Sequence, residues 1–272
     1  MGCSQQSNKL TLCELPPWVI CIMAFLLLLA SIIVLKACWP DSYLLSDSSR
    51  CVNLSEDELQ QAYLMAVKDA EKAEPAEISR RLTPIVDHNP DLIWQGKRGE
   101  SRLLVVTLTA PDRYDEKAPD QKAKDHVWVT VAPELKNFCQ KLNLPSEKLT
   151  LRLKQLLGLP QKPLEREIVE IWVDPGDLFR PSPDPEVTDR EAELDFPRSN
   201  NFMTVAQDHK NWFNTTRDKI YDVNNHGYPW TRLGYTYDWG NPESEIGLSE
   251  FVIQKGAPMK IHWAAKVDKY CD

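Results

Sequence analysis

The stretch from Tyr228 to Gly240, YPWTRLGYTYDWG, combines aromatic rings with charged side chains and is the first candidate for chemistry. In a β-strand, Leu233, Tyr235, Tyr237 and Trp239 would share one face, because strand side chains alternate. Such rings could form a platform for a sugar, a base or a peptide, or they could form part of the core. The candidate binding residues are Tyr228, Trp230, Arg232, Tyr235, Tyr237, Asp238 and Trp239.

Carboxylates crowd a second stretch, between Pro183 and Asp195. Asp184, Glu186 and Thr188 alternate as the oxygen ligands of a calcium loop do, but Asp189 stands where such a loop requires glycine. We therefore expect a solvated acidic loop and no metal site.

The order of three elements in the last hundred residues resembles that of NAD-consuming ADP-ribosyltransferase-like toxins. These are Leu178-Phe179-Arg180, an aromatic strand, and Ser249-Glu250-Phe251 followed by Lys255-Gly256. The resemblance implies that Arg180 holds NAD as cofactor and that Glu250 stabilises the developing positive charge on the sugar, so both are candidate catalytic residues. Tyr235-Thr236-Tyr237 occupies the position of the family's Ser-Thr-Ser element. The chain also resembles uncharacterised membrane-anchored envelope proteins of bacteria, a likeness that implies no activity.

Cysteines bear on the compartment in which the chain folds. Of the 7, Cys38, Cys51, Cys139 and Cys271 lie beyond the long apolar run near the N-terminus. In an oxidising compartment these four could form two disulfides, with three alternative pairings. Their spacing differs from that of a zinc site, in which cysteines stand two to four residues apart.

The net charge and the absence of several sequence motifs reduce the number of function classes that fit this chain. A net charge of −8 argues against a nucleic-acid partner, which requires a basic surface. The sequence contains no His-Glu-x-x-His motif and no glycine-rich phosphate loop, and Gly247-Leu248-Ser249-Glu250-Phe251 lacks the second glycine of a nucleophile elbow.

The elements that must position these residues form a mixed pattern. Ser55 and Glu58 make a capping box for a first helix, whereas LLVVTLT at 103–109 is typical of a buried strand. Helices and short strands without strict alternation predict an α+β domain, with an N-terminal half at 55–174 and a C-terminal half at 175–272. The predicted helices are 55–73, 76–85, 133–142, 146–157 and 204–221, and the predicted strands are 103–109, 127–131, 168–173, 233–239, 250–254 and 259–264.

A single N-terminal transmembrane helix is predicted at Trp18–Leu35, an uncharged apolar run with the length that a bilayer requires. It lies in an anchor segment at 18–38, between a short tail at 1–17 and a polar stalk at 39–54. A cleaved signal is the alternative, because Leu35-Lys36-Ala37-Cys38 resembles a bacterial lipoprotein cleavage box. The short tail contains nothing that could fold, so we expect the C-terminal domain outside the cytoplasm.

These patterns predict a single-pass or lipid-tethered domain of the cell envelope that acts by binding a protein or a small polar ligand. The aromatic stretch is the expected contact surface, and no cofactor is expected for a binding domain. Two alternatives stay open: an NAD-cleaving or ADP-ribosyl-transferring enzyme that uses Arg180 and Glu250, and a structural component of the envelope.

Overall fold

The computed structural model describes residues 52–163, 165–198, 204–222 and 227–272. The chain divides into two compact units, Met1–Leu44 and Leu45–Asp272, and the described residues belong to the second. The predicted span Trp18–Leu35, Cys38 and Cys51 lie outside the described residues. Within the described ranges, every helix is too short or too polar to cross a bilayer.

A seven-stranded antiparallel sheet is the centre of the second unit, in the order β2-β9-β4-β1-β3-β8-β5. At its middle, β1 pairs with β4 over seven residues, from Leu103 opposite Val173 to Thr109 opposite Glu167. A separate hairpin pairs β6 with β7. The strands are β1 Leu103–Thr109, β2 Asp120–Lys122, β3 Val127–Val131, β4 Glu167–Val173, β5 Leu178–Phe179, β6 Tyr235–Tyr237, β7 Ile246–Ser249, β8 Phe251–Ile253 and β9 Pro258–Lys266.

Five helices accompany the sheet in the described ranges. The first begins at the predicted capping box, in which the Ser55 backbone N–H donates to Glu58 Oε2 at 2.8 Å. The third ends before Gly158, whose φ of +65° lies in the left-handed region that glycine adopts at low cost. The helices are α1 Glu56–Ala70, α2 Ala132–Cys139, α3 Ser146–Leu156, α4 Gln207–Ile220 and α5 Val267–Cys271.

Side chains from the two faces of the sheet enter different cores, because neighbouring residues of a strand point in opposite directions. Leu103 and Val105 of β1 belong to a core that is completed by loop residues such as Ile85 and Leu92. Leu104 and Val106 point the other way, into a core that α2, α3 and α5 cover. We call these the loop-covered face and the helix-covered face.

The α+β prediction is confirmed, and the two predicted halves share one sheet. Strand β8 of the C-terminal half pairs with β3, and β9 pairs with β4. Cys139 of α2 and Cys271 of α5 form a disulfide, with Cα atoms 5.5 Å apart and 132 residues between them in sequence.

The helix predicted at 76–85 is wrong. A single 3-10 turn spans Pro75–Glu77, and the chain then runs extended beside the acidic loop. The Leu82 N–H donates to the Arg190 carbonyl at 3.0 Å and the Ile85 N–H to the Val187 carbonyl at 2.7 Å. Pro84 lacks the N–H that a helix interior requires, so this segment instead pairs its backbone with the acidic loop.

Candidate functional site

The aromatic strand residues of the C-terminal half lie mostly in the core. Tyr235, Tyr237 and Trp239 are 1%, 4% and 8% exposed, whereas Tyr228 is 50% exposed. Their polar atoms have partners: Tyr235 Oη donates to the Glu77 carbonyl at 2.9 Å and Tyr237 Oη to Asp69 Oδ2 at 2.8 Å. Trp239 Nε1 donates to a main-chain carbonyl, that of residue 159, at 3.0 Å. These three rings therefore present no face to a ligand and serve the core.

Arg232 and Asp238, the charged residues of that stretch, bind elsewhere and not to each other. Asp238 accepts two hydrogen bonds from Arg152 of α3, at 2.8 and 2.7 Å, and both side chains are buried. Arg232 Nη2 donates to the Ala70 and Glu71 carbonyls at 2.9 and 2.8 Å, where it caps the C-terminal end of α1. Both residues thus fix the hairpin to neighbouring helices.

Arg180 organises the acidic loop. Its side chain is fully buried, with Nε donating to the Glu186 carbonyl at 2.9 Å and Nη2 to the Asp189 carbonyl at 3.1 Å. The carboxylate of Asp189 also lies 3.6 Å from Nη2. The guanidinium is therefore engaged by the loop that it holds in place.

Glu250, the other member of the predicted catalytic pair, lies between β7 and β8. Arg180 lies over the ring of Phe251, 5.4 Å from its centre, and Phe251 enters the loop-covered face. Strand alternation directs Glu250 to the opposite side, where its neighbour Leu248 packs against the helix-covered core. Among the described residues Arg180 and Glu250 form no ion pair with each other, and the roles that the resemblance implies for them stay predictions.

The electrostatic environment of the Glu250 carboxyl is unusual among the candidate residues. Its backbone N–H donates to the Gly234 carbonyl at 2.9 Å, while among the described residues no hydrogen bond or ion pair reaches its carboxyl group. Burial raises the pKa of this carboxyl to about 8, although the residue is still partly exposed. Glu250 therefore combines dense surroundings with partial exposure to solvent.

Aromatic side chains from four separate segments meet in one group. We call the group the tryptophan cluster, and its ring centres lie 4.6 to 6.4 Å from those of their neighbours. Its members are His126, Trp128, Phe179, His209, Trp212, Phe213 and Trp230.

Trp212 is the centre of the cluster. Its ring lies 4.6 Å from that of Phe179, 5.5 Å from that of His126 and 6.0 Å from that of Trp230. Trp128 of β3 lies edge-on to Trp230, 5.6 Å away. The position of Trp230 is fixed by its Nε1, which donates to a main-chain carbonyl, that of residue 181, at 3.1 Å.

The cluster is buried on one side and partly exposed on the other. Phe213 and Trp230 are each 4% exposed, whereas Trp128, Trp212 and both histidines are of intermediate exposure. Helix α4 supplies the exposed side, and Phe213 is its only fully buried residue among those described. Aromatic surface that is well positioned but incompletely covered is a common feature of binding sites.

The cluster carries no fixed positive charge of its own. Burial lowers the pKa of His126, with Lys255 contributing, and burial also lowers the pKa of His209. Both imidazoles are therefore neutral at pH 7. His209 Nε2 lies 2.8 Å from the Ser182 carbonyl, so this nitrogen carries the proton.

Of the members of this cluster, only Trp230 was predicted from the sequence to be a binding residue. The other members are separated by up to about ninety residues, and no local pattern predicts that they meet. The one available signal was Trp128 in VWVTV, where the two valine neighbours occupy core positions and the tryptophan must then point the other way.

Metal binding has no support from the described residues, in which no group of three or more His, Cys, Asp or Glu side chains could hold an ion. No protein-family model, curated protein sequence or solved structure matches this chain.

Proposed function

We propose that this chain is a membrane-anchored binding domain of the cell envelope, with its folded unit outside the cytoplasm and the tryptophan cluster as its contact surface. The anchor is the apolar run Trp18–Leu35, either retained as a helix or replaced after cleavage by a lipid on Cys38. The observation that supports the binding function is the tryptophan cluster, in which four rings of intermediate exposure pack against buried rings.

The disulfide between Cys139 and Cys271 supports the location of the folded unit. Disulfides persist in oxidising compartments and are rare in the cytosol, where thiols are kept reduced. The pair joins α2 to the C-terminal helix α5, two of the three helices that cover the helix-covered face.

The location is tested on the full chain in isolated membranes, with a thiol-reactive polyethylene glycol that increases apparent mass on a gel. In denatured samples whose free thiols have first been blocked, reduction should expose two more labelling sites in the wild type than in Cys139→Ser/Cys271→Ser, which is the control. Two freely reactive thiols, or release of the unprocessed and unacylated chain by a carbonate wash, would contradict the proposal.

The binding function is tested with the full chain in maltoside micelles, labelled with 5-fluorotryptophan and assigned by single Trp→Phe variants. A panel of oligosaccharides, nucleosides, aromatic peptides and small cations at millimolar concentration supplies the ligands. Binding should shift the resonances of Trp128, Trp212 and Trp230 and leave that of Trp94, which packs on the loop-covered core, unchanged. A panel in which no compound shifts the cluster resonances selectively would contradict the proposal.

A further inference from the structure

Two polar groups without a protein partner lie on the pair of strands that carries Trp128. In the described chain, the Glu250 carboxyl forms no hydrogen bond and is partly exposed to solvent, and Thr130 Oγ1 is buried without a partner. Buried polar atoms are almost always paired in folded proteins, so the unpaired Thr130 hydroxyl requires an explanation. A ligand that reaches both groups is such an explanation.

The register of β3 and β8 brings these groups together. Trp128 pairs with Val252 and Val129 with Phe251, so continuing the register by one residue places Thr130 opposite Glu250. Trp128 and Thr130 both point away from Val127, Val129 and Val131, which belong to the loop-covered core. Glu250, Thr130 and Trp128 therefore share the helix-covered side, with Trp128 as the diagonal neighbour of Glu250.

Glu250 forms no ion pair with a described residue, so its ionised carboxylate is available to a cation. Burial is the only cause that raises the pKa of this carboxyl, so no arginine or lysine lies close enough to favour its ionised form. The basic residue that its position in sequence suggests, Arg180, faces the other side of the strand and binds the acidic loop. A cationic ligand would restore the ionised carboxylate and could also lie against the indole faces, which attract cations.

The surrounding charges favour the same class of ligand. Asp184 of the acidic loop lies close enough to favour the protonated form of His209, whereas at His126 the effect of Asp125 is opposed by that of Lys255. The protein as a whole carries a net charge of −8. Such a surface raises the local concentration of cations and repels anions.

We propose that Glu250, Thr130 and Trp128 form a subsite that binds the ammonium group of a small ligand. This assignment rests on the proposed function, since it specifies what the tryptophan cluster binds. The carboxylate pairs with the cationic head, Trp128 contacts it through its ring, and the Thr130 hydroxyl accepts or donates the remaining hydrogen bond.

The test compares choline with 3,3-dimethylbutan-1-ol, which has the same shape without the charge, on the 5-fluorotryptophan-labelled full chain in maltoside micelles. Choline should shift the Trp128 resonance, whereas the alcohol should not. Glu250→Gln keeps the shape of the side chain and removes its charge, so it should weaken choline binding about tenfold or more, the effect of losing one contact to a charged group. Glu243→Gln, at an exposed position, is the matched control and should bind as the wild type does.

Three results would overturn the inference: equal binding of choline and the alcohol, unchanged choline affinity in Glu250→Gln, or no shift of Trp128 with either compound. The first two would leave the proposed function intact, because a ligand would still occupy the cluster. If neither compound shifts the Trp128 resonance, the proposed function is tested separately by the saccharides, nucleosides and peptides of the panel. Trp128→Phe, which keeps an aromatic ring, should weaken choline binding less than Glu250→Gln and guards against a loss of binding through misfolding.

Discussion

Two regions of this protein are rich in aromatic side chains and differ in how completely the fold covers the rings. In the hairpin region, Tyr235, Tyr237 and Trp239 are buried, and each polar atom has a hydrogen-bond partner. In the tryptophan cluster, Trp128 and Trp212 keep intermediate exposure. The comparison teaches that ring content alone does not distinguish an aromatic group that the fold covers from one that it leaves partly open.

The largest effect is expected from the buried ion pair of the hairpin region. Asp238→Asn should lower the free energy of unfolding by about 3–5 kcal/mol, because Arg152 is 2% exposed and would keep its charge without a carboxylate. Urea denaturation of the unit Leu45–Asp272 at pH 7 measures this. Arg152→Met/Asp238→Leu should recover much of the loss, and a change below about 1 kcal/mol for Asp238→Asn would show that the pair is not structural.

The comparison is sharpened by truncating one tryptophan in each region. Trp239→Ala should cost about 3–5 kcal/mol, the usual range for a buried large aromatic residue, while Trp212→Ala should cost about 1 kcal/mol since its ring is only partly covered. The same denaturation experiment gives both values. If the two substitutions cost the same, the tryptophan cluster is core and the division between the regions fails.

A smaller effect is expected at Glu250 and depends on pH. Its carboxyl is harder to ionise in the folded chain, with a pKa of about 8 against an ordinary value of 4.5. The contribution of the protonated Glu250 carboxyl to the free energy of unfolding is therefore fully present below about pH 4.5 and is lost as the pH rises to about 8. The difference in unfolding free energy between wild type and Glu250→Gln should change by about 2 kcal/mol over this interval, less than the full shift implies because the residue is partly exposed. A difference that is constant from pH 4.5 to 8 would contradict the raised pKa.

The smallest effect concerns one hydroxyl group of the hairpin region. Tyr237→Phe should cost about 1 kcal/mol, because Asp69 loses the donor that lies 2.8 Å from its Oδ2. Tyr228→Phe is the control and should leave the denaturation midpoint unchanged, since Tyr228 is half exposed. Equal midpoints for the two variants would show that this hydrogen bond contributes no stability.

Local patterns predicted most of the regular elements. The capping box at Ser55 and Glu58 placed the start of α1, and the uncharged β-branched run placed β1 at Leu103–Thr109. The strand predicted at 233–239 is shorter, Tyr235–Tyr237, because Arg232 and Gly234 adopt positive φ values of 61° and 74°. The patterns at these two elements lie within one turn or one strand, and their predictions are confirmed. The bend at Arg232 and Gly234 depends on distant contacts and was not predicted.

The candidate sites were harder to predict from sequence. Arg180 and Glu250 follow the order of the elements in the family that the sequence resembles, and strand alternation directs their side chains to opposite sides of the sheet. The burial of Tyr235, Tyr237 and Trp239 depends on α1 and the segment after α3, which are far away in sequence. No pattern within the stretch itself distinguishes a covered ring from an exposed one.

By itself, the sequence determined the α+β class, the placement of most helices and strands, and the apolar run that predicts a membrane anchor. These follow from side-chain periodicity and hydrophobicity, which are properties of neighbouring residues. Only the tertiary structure decided that Cys139 meets Cys271, that Arg180 binds the acidic loop, and that Trp128, Trp212 and Trp230 meet one another. The physical reason is that which residues become neighbours, and which of their polar atoms stay unpaired, depends on how the whole sheet and its covering segments pack.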